Sequence, residues 1–555
     1  MRPVGATAPA GPGAATCADG PDAPDAPWRS ATRLSMAALD GLPARVARPS
    51  FDPAALRCGI LHLGCGAFHR AHQAFLTQKA IEAEHGVSRM LRGACLPAWG
   101  IAAVSLRTPD TVRALRRQDG LFSVLERGAR TDRATVVGTL RRVVHAPAQP
   151  DAPARALADP AIRVVTLTVT LAGYCMAPVT GRLDTDDAAV RQDLAGPHPR
   201  SAIGVLVEGL RRRRLAGLSP PVVLSCDNVP ANGRMLRGLC IDHAALRDDR
   251  LATWIARHVQ FPCTMVDRIV PSASPDDRVR ARAALGLLDA APVAAEPFHQ
   301  WVIERFDGPR PRWDAAGAEY VEDVAPWEAS KLRLLNGGHL AIGYLGLLGG
   351  CATVAETMEL PGLSAFALRF MLDEQKPTLP PSDHDIDAYA RQLLARWKNH
   401  SIAHRLARVT REGTAKLPAR LIASLRENRR AGRPAPCTAL AVAAWMCCCA
   451  DAEAEADAAS RAGADGRALA LEDPVAARWR QDVRAVAHDP QRLVDRLLAR
   501  VEVFGTDLPR DAALRAALVY AVWLLRQRAV RGAVAACVGG ELWDRGPSLA
   551  GPAGS

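Results

Sequence analysis

A short segment in the second half of the chain combines the residue types of an acid–base site. Between Glu328 and His339 the sequence also holds Lys331 and Asn336. On an α-helix with about 100° per residue, these four side chains would fall within an arc of about 140°. An amine, an amide and an imidazole in one place could take a proton from an alcohol and stabilise the alkoxide that forms. Four solvated side chains on a helix surface would give the same pattern.

Lysine is rare in this chain, which makes its positions informative. Lysine and arginine together number 70 among 555 residues, yet only five are lysines: Lys79, Lys331, Lys376, Lys398 and Lys416. Arginine stays protonated in proteins, whereas a partly desolvated lysine can lose its proton near neutral pH. A site that needs a titratable cation therefore cannot use the common residue. The count favours Lys331 as a general base and strengthens the case for a functional role of Lys416.

Composition argues against several classes of protein. The formal net charge is +12, but the basic residues are scattered among acids, so no nucleic-acid partner is expected. The fourteen cysteines include no Cys-x2-Cys pair, which favours reduced thiols and no bound metal. The first thirty residues lack the apolar core of a signal peptide, and no apolar run reaches about 18 residues. We therefore expect a cytoplasmic protein without membrane association, and we also expect a monomer.

The elements that must position these residues divide the chain into three parts. Residues 1–50 are rich in Ala, Pro and Gly and predict a flexible extension. In residues 51–320, short apolar runs alternate with helix-like stretches, which predicts an α/β domain with a parallel sheet. The predicted strands are residues 59–64, 100–106, 162–170 and 220–228. In residues 321–550 helical periodicity dominates, so a mainly α-helical second domain is expected.

The first predicted strand runs directly into a loop that contains glycines. Gly64 and Gly66 precede a helix-like stretch, where small residues would let a pyrophosphate approach backbone N–H groups. His69 stands where the third glycine of the GxGxxG pattern is expected, so an ordinary strand–turn–helix is an alternative. After the second strand, Asp110 could bind a ribose, or Arg107 could contact adenine or a 2′-phosphate. The residues leave both NAD and NADP open as cofactors.

Five motifs, in this order, resemble the mannitol dehydrogenase family of long-chain polyol-specific dehydrogenases. They are "HLGCGAFHRAH", "SCDNVPANG", "MVDRIVP", "KLRLLNGGHLAIGYLG" and "EGTAKLP". The Lys-x4-Asn-x2-His spacing is typical of that family, which includes mannitol 2-dehydrogenases and fructuronate reductases. The resemblance implies a Rossmann-type dinucleotide-binding domain, a helical second domain and metal-independent hydride transfer in the cleft between them. It also implies NAD(H) or NADP(H) as cofactor and a small sugar or polyol as substrate.

The same resemblance implies roles for individual residues. Lys331 corresponds to the catalytic base, and Glu328 to an acid that helps protons leave towards solvent. The residues that hold the reacting oxygen correspond to Asn228, Asn336 and His339. The other hydroxyls of the substrate would be bound by Asp267, Arg408 and Lys416. The cofactor loop corresponds to Gly64, Gly66, Phe68 and Arg70.

Three of these matches have a simpler explanation when each is taken alone. Asn228 could close the turn before Pro230, and Asp267 could be an ion-pair partner of Arg268. Arg408 could be an ordinary surface charge in an arginine-rich chain. Their shared order and spacing favour function over these explanations.

The chain departs from the family pattern near the predicted site. Leu171-Ala172 stands where a polar Glu-Lys pair is usual, so a catalytically silent nucleotide- or sugar-binding relative is the alternative hypothesis. Gly338 replaces a common serine and is expected to loosen its helix by about 1 kcal/mol. The choice between fructuronate and fructose as substrate is close, although Arg405 with Arg408 could pair with a carboxylate.

Overall fold

The first half of the described chain contains the strands, with helices around them, and the second half is mainly helical. The computed structural model describes residues 32–90, 99–402, 404–451 and 471–544. The last strand ends at Val321 and the next helix begins at Ala325, so the change of architecture falls next to the predicted boundary at residue 320. The predicted α/β fold with a mainly helical second half is confirmed.

The strands of the described residues build three sheets. In chain order they are β1 (Cys58–Leu63), β2 (Gly100–Ser105), β3 (Phe122–Arg127), β4 (Asp132–Val137), β5 (Leu140–His145), β6 (Val164–Leu167), β7 (Val222–Ser225), β8 (Thr264–Asp267), β9 (Val293–Ala295), β10 (Gln300–Glu304) and β11 (Glu319–Val321). The central sheet has the order β5-β2-β1-β6-β7, and all its neighbours pair in parallel. The chain leaves β1 towards one edge and later returns to its other side. A crevice for a ligand is expected at the carboxyl end of β1, where the strand order reverses.

Two three-stranded sheets complete the first half. In one of them β3 lies between β4, which is antiparallel to it, and β9, which is parallel. In the other, β10 lies between β8, which is antiparallel, and β11, which is parallel. The strand β8 ends at Asp267, so this sheet brings a predicted substrate-binding residue to its edge.

Helices surround the sheets and form nearly all of the second half. Those of the first half are Ala67–His69, Phe75–Met90, Asp110–Arg116, Ala152–Leu157, Ala188–Ala195, Ala202–Leu215, Asn232–Ala245, Asp249–His258 and Pro275–Leu285. Those of the second half are Ala325–Ser330, Gly337–Leu348, Val354–Glu359, Leu363–Arg369, Ile386–Trp397, Leu406–Thr410, Gly413–Leu417, Ala423–Arg430, Pro436–Asp451, Pro474–Ala477, Arg480–Arg484, Pro490–Leu498, Val501–Phe504, Ala512–Val538 and Glu541–Asp544. None of these helices is long and apolar enough to cross a membrane.

Within the described ranges, four helical runs contain a π turn. These turns are Arg70–Ala74, Lys331–Asn336, Phe370–Gln375 and Pro418–Ile422. The prediction of a regular α-helix around Lys331 is wrong for the six residues Lys331–Asn336. A π turn closes its hydrogen bonds five residues apart, which the periodicity of apolar residues does not reveal.

Side chains alternate between the two faces of the central sheet, as its period of two requires. In β1, Ile60 packs into the apolar core on one face and Leu61 into the core on the other. The second half has a separate large core, whose centre is the buried helix Pro436–Asp451 packed against Gly337–Leu348 and Ala512–Val538. Each half therefore buries its own apolar core.

The segment from residue 32 to residue 50 is packed, which corrects the prediction of a flexible extension over residues 1–50. Leu34 and Val46 are buried in one apolar cluster with side chains from β3 and β4. The backbone N–H of Leu34 donates to the Leu288 carbonyl at 2.9 Å, and that of Ala47 donates to the Ala134 carbonyl at 2.9 Å. Backbone pairing, which composition does not predict, stabilises this stretch. Residues 1–31 and 545–555 lie outside the described residues.

Two predicted strands end earlier than expected because polar side chains take over their last hydrogen bonds. The strand predicted over residues 162–170 ends at Leu167, and the Thr168 hydroxyl donates to the Gly64 carbonyl at 2.8 Å. The strand predicted over residues 220–228 ends at Ser225. The end of β6 lies beside the glycine-containing loop after β1, because Thr168 contacts Gly64 there.

Candidate active site

Lys331 joins the two halves of the molecule. It begins the π turn Lys331–Asn336, and its side chain reaches the ends of two strands. The Lys331 Nζ donates to Asn228 Oδ1 at 2.9 Å and to the carbonyl oxygen of Val266. Asn228 follows β7, and Val266 belongs to β8. The residue is only 7% exposed, so three elements fix the position of one buried amine.

The surroundings of Lys331 favour its unprotonated form. Burial lowers the pKa of the amine from its ordinary value of 10.5. The charges of Arg396 and Arg420 lower this pKa further, whereas Asp267 and Glu328 raise it. The lowered pKa increases the fraction of lysine that can accept a proton near neutral pH.

The π turn also changes how Asn336 relates to Lys331. On a regular α-helix the two residues would point about 140° apart. Residues five apart are joined by the hydrogen bonds of a π turn, so here they lie one turn apart along the same face. Asn336 is half-buried, and within the described residues its amide makes no side-chain hydrogen bond. The amide is therefore free to bind a ligand.

His339 is held in one tautomer by a tryptophan. The Trp397 Nε1–H donates to His339 Nε2 at 2.9 Å. Because Nε2 accepts, a neutral ring carries its proton on Nδ1. Burial holds the pKa of His339 well below its usual value, and the nearby positive charges of His404, Arg396 and Arg420 lower it further. His339 can therefore donate a neutral N–H from Nδ1.

Gly338 makes room for the same tryptophan. A Cβ at this position would lie 2.5 Å from Cη2 of Trp397, a rigid ring atom that cannot move independently. From the sequence alone, Gly338 is expected only to make its helix less stable. The structure gives the glycine a packing role as well, because it allows the indole to reach His339 on the next residue.

Glu328 supports the loop that carries Asn228. Both of its carboxylate oxygens accept the Ala231 N–H, each at 3.2 Å. Ala231 has a φ of 48°, in the left-handed region that residues with a side chain rarely adopt. Burial raises the pKa of Glu328, while the Ala231 N–H acts in the opposite direction. Glu328 is half-buried and its charge reaches Lys331.

Asp267 belongs to a buried ion-pair network. Arg396 Nη1 and Nη2 bind the two Asp267 oxygens at 2.6 and 3.1 Å, and the same guanidinium binds Glu296 at 2.8 and 2.9 Å. Burial alone would raise the pKa of Asp267, but Arg396 and Lys331 hold it below its usual value. The alternative that Asp267 pairs with Arg268 is wrong, because Arg268 pairs with Glu126 at 2.6 Å.

Two predicted substrate-binding residues lie at the margin of this cluster. Arg408 is exposed, and its Nη1 lies 3.4 Å from Ser272 Oγ in the first half of the chain. Lys416 is half-buried, and its Nζ donates to the carbonyl oxygen of Arg411. Burial lowers the pKa of Lys416. The structure brings Lys331 into direct contact with Asn228, but it does not bring Arg408 or Lys416 into contact with Lys331.

The glycine-containing loop after β1 fits a dinucleotide. Gly64 has a φ of 102°, and a Cβ there would collide with the Thr168 carbonyl. Gly66 precedes the helical run that starts at Ala67, and a Cβ on it would meet nothing closer than the Gly64 oxygen at 3.9 Å. This open space, in front of the first N–H groups of a long helical run, suits a pyrophosphate.

The other two residues predicted at this loop have different surroundings. Phe68 is half-buried and stacks on His72 at 5.1 Å. Arg70 is buried, donates to the Ala291 carbonyl and lies 5.6 Å from the ring centre of Phe122. Arg70 thus connects the helix to the β3 sheet, and its contact with a cofactor stays a prediction. His72 lies within electrostatic range of Asp267, which connects this helix to the Lys331 cluster.

The loop with Leu171-Ala172 is anchored without a polar pair. Leu171 is 55% exposed and begins the 3₁₀ helix Leu171–Tyr174. The Tyr174 hydroxyl lies 2.6 Å from Ser225 Oγ and donates to Asp227 Oδ2 at 2.8 Å. The Asp227 carboxylate also accepts two backbone N–H groups after β6, at 2.8 and 3.1 Å. The loop is therefore held in place beside the end of β7.

Sequence reasoning missed Arg396 and Trp397. Both end the helix Ile386–Trp397, and they contact Asp267 and His339 respectively. An arginine in an arginine-rich chain carries no signal of its own, and a lone tryptophan on an amphipathic helix normally indicates core packing. Within the described residues no three His, Cys, Asp or Glu side chains are grouped to hold a metal ion.

The chain matches two family descriptions in succession. Residues 58–315 match the mannitol dehydrogenase Rossmann domain, and residues 323–525 match the mannitol dehydrogenase C-terminal domain. The two matches meet where the strands give way to helices.

Individual proteins match over most of their length. The chain is 40% identical over 472 residues to the uncharacterized oxidoreductase YeiQ of Escherichia coli strain K12, covering 84% of this chain and 92% of that protein. It is 39% identical over 498 residues to D-mannonate oxidoreductase of the same strain, covering 88% and 98%. The structure of Pseudomonas fluorescens mannitol 2-dehydrogenase, in a ternary complex with NAD and D-mannitol, matches with a TM-score of 0.72 and 34% identity, covering 91% and 99%. The chain is therefore an oxidoreductase that belongs to the mannitol dehydrogenase family.

Proposed function

We propose that the protein is an NAD(P)-dependent dehydrogenase in which Lys331 is the general base of a metal-independent reaction. The reaction interconverts a 2-ketose or keto-uronate, such as fructose or fructuronate, with the matching polyol or aldonate, mannitol or mannonate. The observation that carries this proposal is the buried Lys331 amine, whose pKa is lowered and whose position is fixed by Asn228 and Val266. Family membership supports the same class of reaction.

The proposed cofactor site is the loop after β1. Gly64 supplies the tight turn, and Gly66 with the N–H groups that begin the helix at Ala67 would hold the pyrophosphate. A nicotinamide dinucleotide bound there accepts hydride from the substrate carbon, or donates it in the reverse direction. NAD is the first choice because the Pseudomonas fluorescens relative was solved with NAD, and exposed Arg107 keeps NADP in the proposal.

The chain's own residues move the proton. In alcohol oxidation, the free Lys331 amine takes the hydroxyl proton while the C–H bond of the same carbon breaks. In ketone reduction, protonated Lys331 returns that proton to the oxygen. Glu328, half-buried and charge-coupled to Lys331, is proposed to help the proton leave towards solvent.

Three donors are proposed to hold the reacting oxygen. Asn228 already accepts from Lys331 through Oδ1, so its NH₂ group is left to donate to the substrate. Asn336 offers an amide without a protein partner, and His339 offers the Nδ1–H that its contact with Trp397 leaves free. Neutral donors stabilise a developing alkoxide without neutralising the base.

The substrate's remaining hydroxyl groups are proposed to bind Asp267, Arg408 and Lys416. Asp267 keeps free lone pairs although Arg396 occupies one side of its carboxylate. Arg408 and Lys416 lie at the margin of the cluster, which suits contacts to atoms far from the reacting carbon. The binding cleft uses residues of one chain only, so we propose that a monomer is active.

The test is turnover of defined substrates. Purified protein with NADH or NADPH should oxidise the cofactor in the presence of fructose or fructuronate, and Lys331→Ala should abolish this. Binding of NADH, measured by quenching of tryptophan fluorescence, without turnover of either ketose would favour the silent relative instead. The exposed Leu171 would then be the first position to restore to a polar residue.

A further inference from the structure

A second π turn packs against the one that carries Lys331. Pro418–Ile422 lies directly beside Lys331–Asn336 in the helical half. The close approach depends on Gly337, because a Cβ there would lie 2.7 Å from the backbone carbonyl oxygen of Arg420. Arg420 is therefore fixed at its backbone next to the proposed catalytic segment.

The guanidinium of Arg420 has no acidic partner within the described ranges, in contrast to other arginines of this region. Arg396 binds two buried carboxylates, and Arg333 and Arg411 each lie 2.7 Å from a glutamate. The Arg420 side chain takes part in no hydrogen bond to any described residue and is half-buried. The nitrogen atoms of its guanidinium are not among the buried unpaired atoms of the described residues, so they are open to solvent and an anion can reach them.

Arg420 lies close to three titratable groups of the proposed site. Its charge lowers the pKa of Lys331, His339 and Lys416, so the guanidinium lies within electrostatic range of all three. Among the described residues, the Tyr344 hydroxyl has the opposite effect on the pKa of Arg420, and it is buried and also has no hydrogen-bond partner. The guanidinium is therefore left able to bind an anion.

We propose that Arg420 binds the carboxylate of a sugar acid and makes the cleft selective for keto-uronates and aldonates over neutral ketoses and polyols. The inference rests on the proposed function, because it assigns the substrate class of the same cleft. A guanidinium binds a carboxylate through two parallel N–H···O bonds, whereas a neutral CH₂OH group leaves the charge unpaired. Arg408 is a weaker candidate for this role because it is exposed to water.

The test measures binding rather than turnover. Protein saturated with NADH is titrated by calorimetry with D-mannonate or D-mannitol, two reduced ligands that cannot react with a reduced cofactor. Wild-type protein should bind mannonate at least about 10-fold more tightly than mannitol, and Arg420→Gln should weaken mannonate binding by about 10- to 100-fold. Mannitol binding should change by less than about threefold.

Two variants keep the result interpretable. Arg420→Lys retains the charge but loses the two-pronged geometry, so its affinity for mannonate should fall between those of wild type and Arg420→Gln. Arg430→Gln makes the same change of charge at a side chain that is 72% exposed, and should not alter the preference. If Arg420→Gln fails to bind NADH because it is misfolded, Arg420→Lys decides the question.

The outcomes separate this inference from the proposed reaction. Equal binding of mannonate and mannitol by wild type, or equal losses of both in Arg420→Gln, would overturn the assignment of Arg420. A mannonate preference that depends on Arg420, in a protein that does not oxidise mannonate with NAD or NADP, would retain the carboxylate site and overturn the proposed reaction.

Discussion

Lys331 differs from the other four lysines of the chain in its surroundings. Its amine is buried between two strand ends and a π turn, and two arginines lie within electrostatic range. Burial and the two arginines favour the neutral amine, whereas Asp267 and Glu328 favour the charged one. The rarity of lysine in the sequence pointed to the position, and the burial of its amine supports the proposed role as a base.

Replacing Lys331 tests its proposed role most directly. We expect Lys331→Ala and Lys331→Arg each to lower kcat by about 10²- to 10⁴-fold, because neither side chain can accept a proton near neutral pH. Steady-state kinetics with the best ketose or polyol measures the loss. Lys398→Ala, at an exposed lysine of the same half, is the matched control and should keep wild-type kcat.

The pH dependence should run in opposite senses for the two directions. Alcohol oxidation needs the free amine, so kcat/KM should rise with pH through the pKa of Lys331, which lies below 10.5. Ketone reduction needs the protonated amine and should fall over the same range. Profiles from about pH 6 to pH 10 measure both, and a flat profile for alcohol oxidation would exclude Lys331 as the base.

Trp397→Phe tests the tautomer of His339. The change removes the N–H that Nε2 accepts, so the ring can place its proton on either nitrogen. We expect kcat to fall by about 3- to 10-fold, the effect of one hydrogen bond. Trp445→Phe removes a similar indole contact, to Thr414, in the helical core and should leave kcat within about twofold of wild type.

At this scale the sequence indicated the residues that are proposed to carry the chemistry but not those that hold them in place. Lys331, Asn228 and Glu328 do cluster, and their types and spacing in the sequence indicate a site. Arg396 and Trp397 escaped notice because each acts through a contact with another helix or strand, and Arg420 because its position depends on the packing of two π turns. Such contacts depend on how elements pack, which no local pattern records.

Glycines in the helices illustrate the same point at the scale of elements. Gly238 lies in the helix Asn232–Ala245 with open space around its Cα, whereas Gly338 lies against the ring of Trp397. From the sequence alone, each glycine is expected to lower the stability of its helix. Their surroundings give them opposite expected responses to substitution.

The two glycines form a matched pair of substitutions. Gly338→Ala should lower the free energy of unfolding by about 1–3 kcal/mol and reduce kcat, because the new Cβ displaces Trp397. Gly238→Ala should raise the free energy of unfolding by about 0.5–1 kcal/mol, because alanine is the better helix former. Denaturant unfolding of both variants measures the difference. An equally stable Gly338→Ala with full activity would show that the indole adapts without consequence.

The order of elements was predictable because strands and helices alternate at regular intervals before residue 320 and helices follow it. The ends of elements were not. Polar side chains such as Thr168 and Asp227 end strands that hydrophobicity would extend. Residues 32–50, which show no regular apolar periodicity, are held by backbone hydrogen bonds to Leu288 and Ala134.

Across the whole molecule, Arg396 joins the two halves beside the proposed catalytic amine. The residue lies in the helical half, and both of its buried partners, Asp267 and Glu296, belong to the sheet half. Asn399 adds a contact across the same junction, donating to the Arg127 carbonyl at 3.0 Å. The contact between the two halves and the electrostatic environment of Lys331 thus both depend on the Arg396 guanidinium.

Arg396→Met should affect both properties together. Two buried carboxylates would lose their counter-charge, so the free energy of unfolding should fall by about 3–5 kcal/mol. The pKa of Lys331 should rise, because a positive neighbour is lost while Asp267 keeps its negative charge, and the profile for alcohol oxidation should move to higher pH. Arg391→Met, at an exposed arginine of the same helix, is the control, and an unshifted profile in Arg396→Met would contradict the predicted coupling.

In the π turns of the helical half, the number of residues determines which side chains share a face of the helix. Lys331–Asn336, Phe370–Gln375 and Pro418–Ile422 each hold hydrogen bonds spaced five residues apart. Removing any one of the residues between Lys331 and Asn336 would preserve every side chain that the proposed chemistry uses, yet would turn the helix that follows by about 100° and carry His339 away from Lys331. When relatives are aligned, a one-residue gap in these turns therefore marks altered catalysis rather than harmless variation in length.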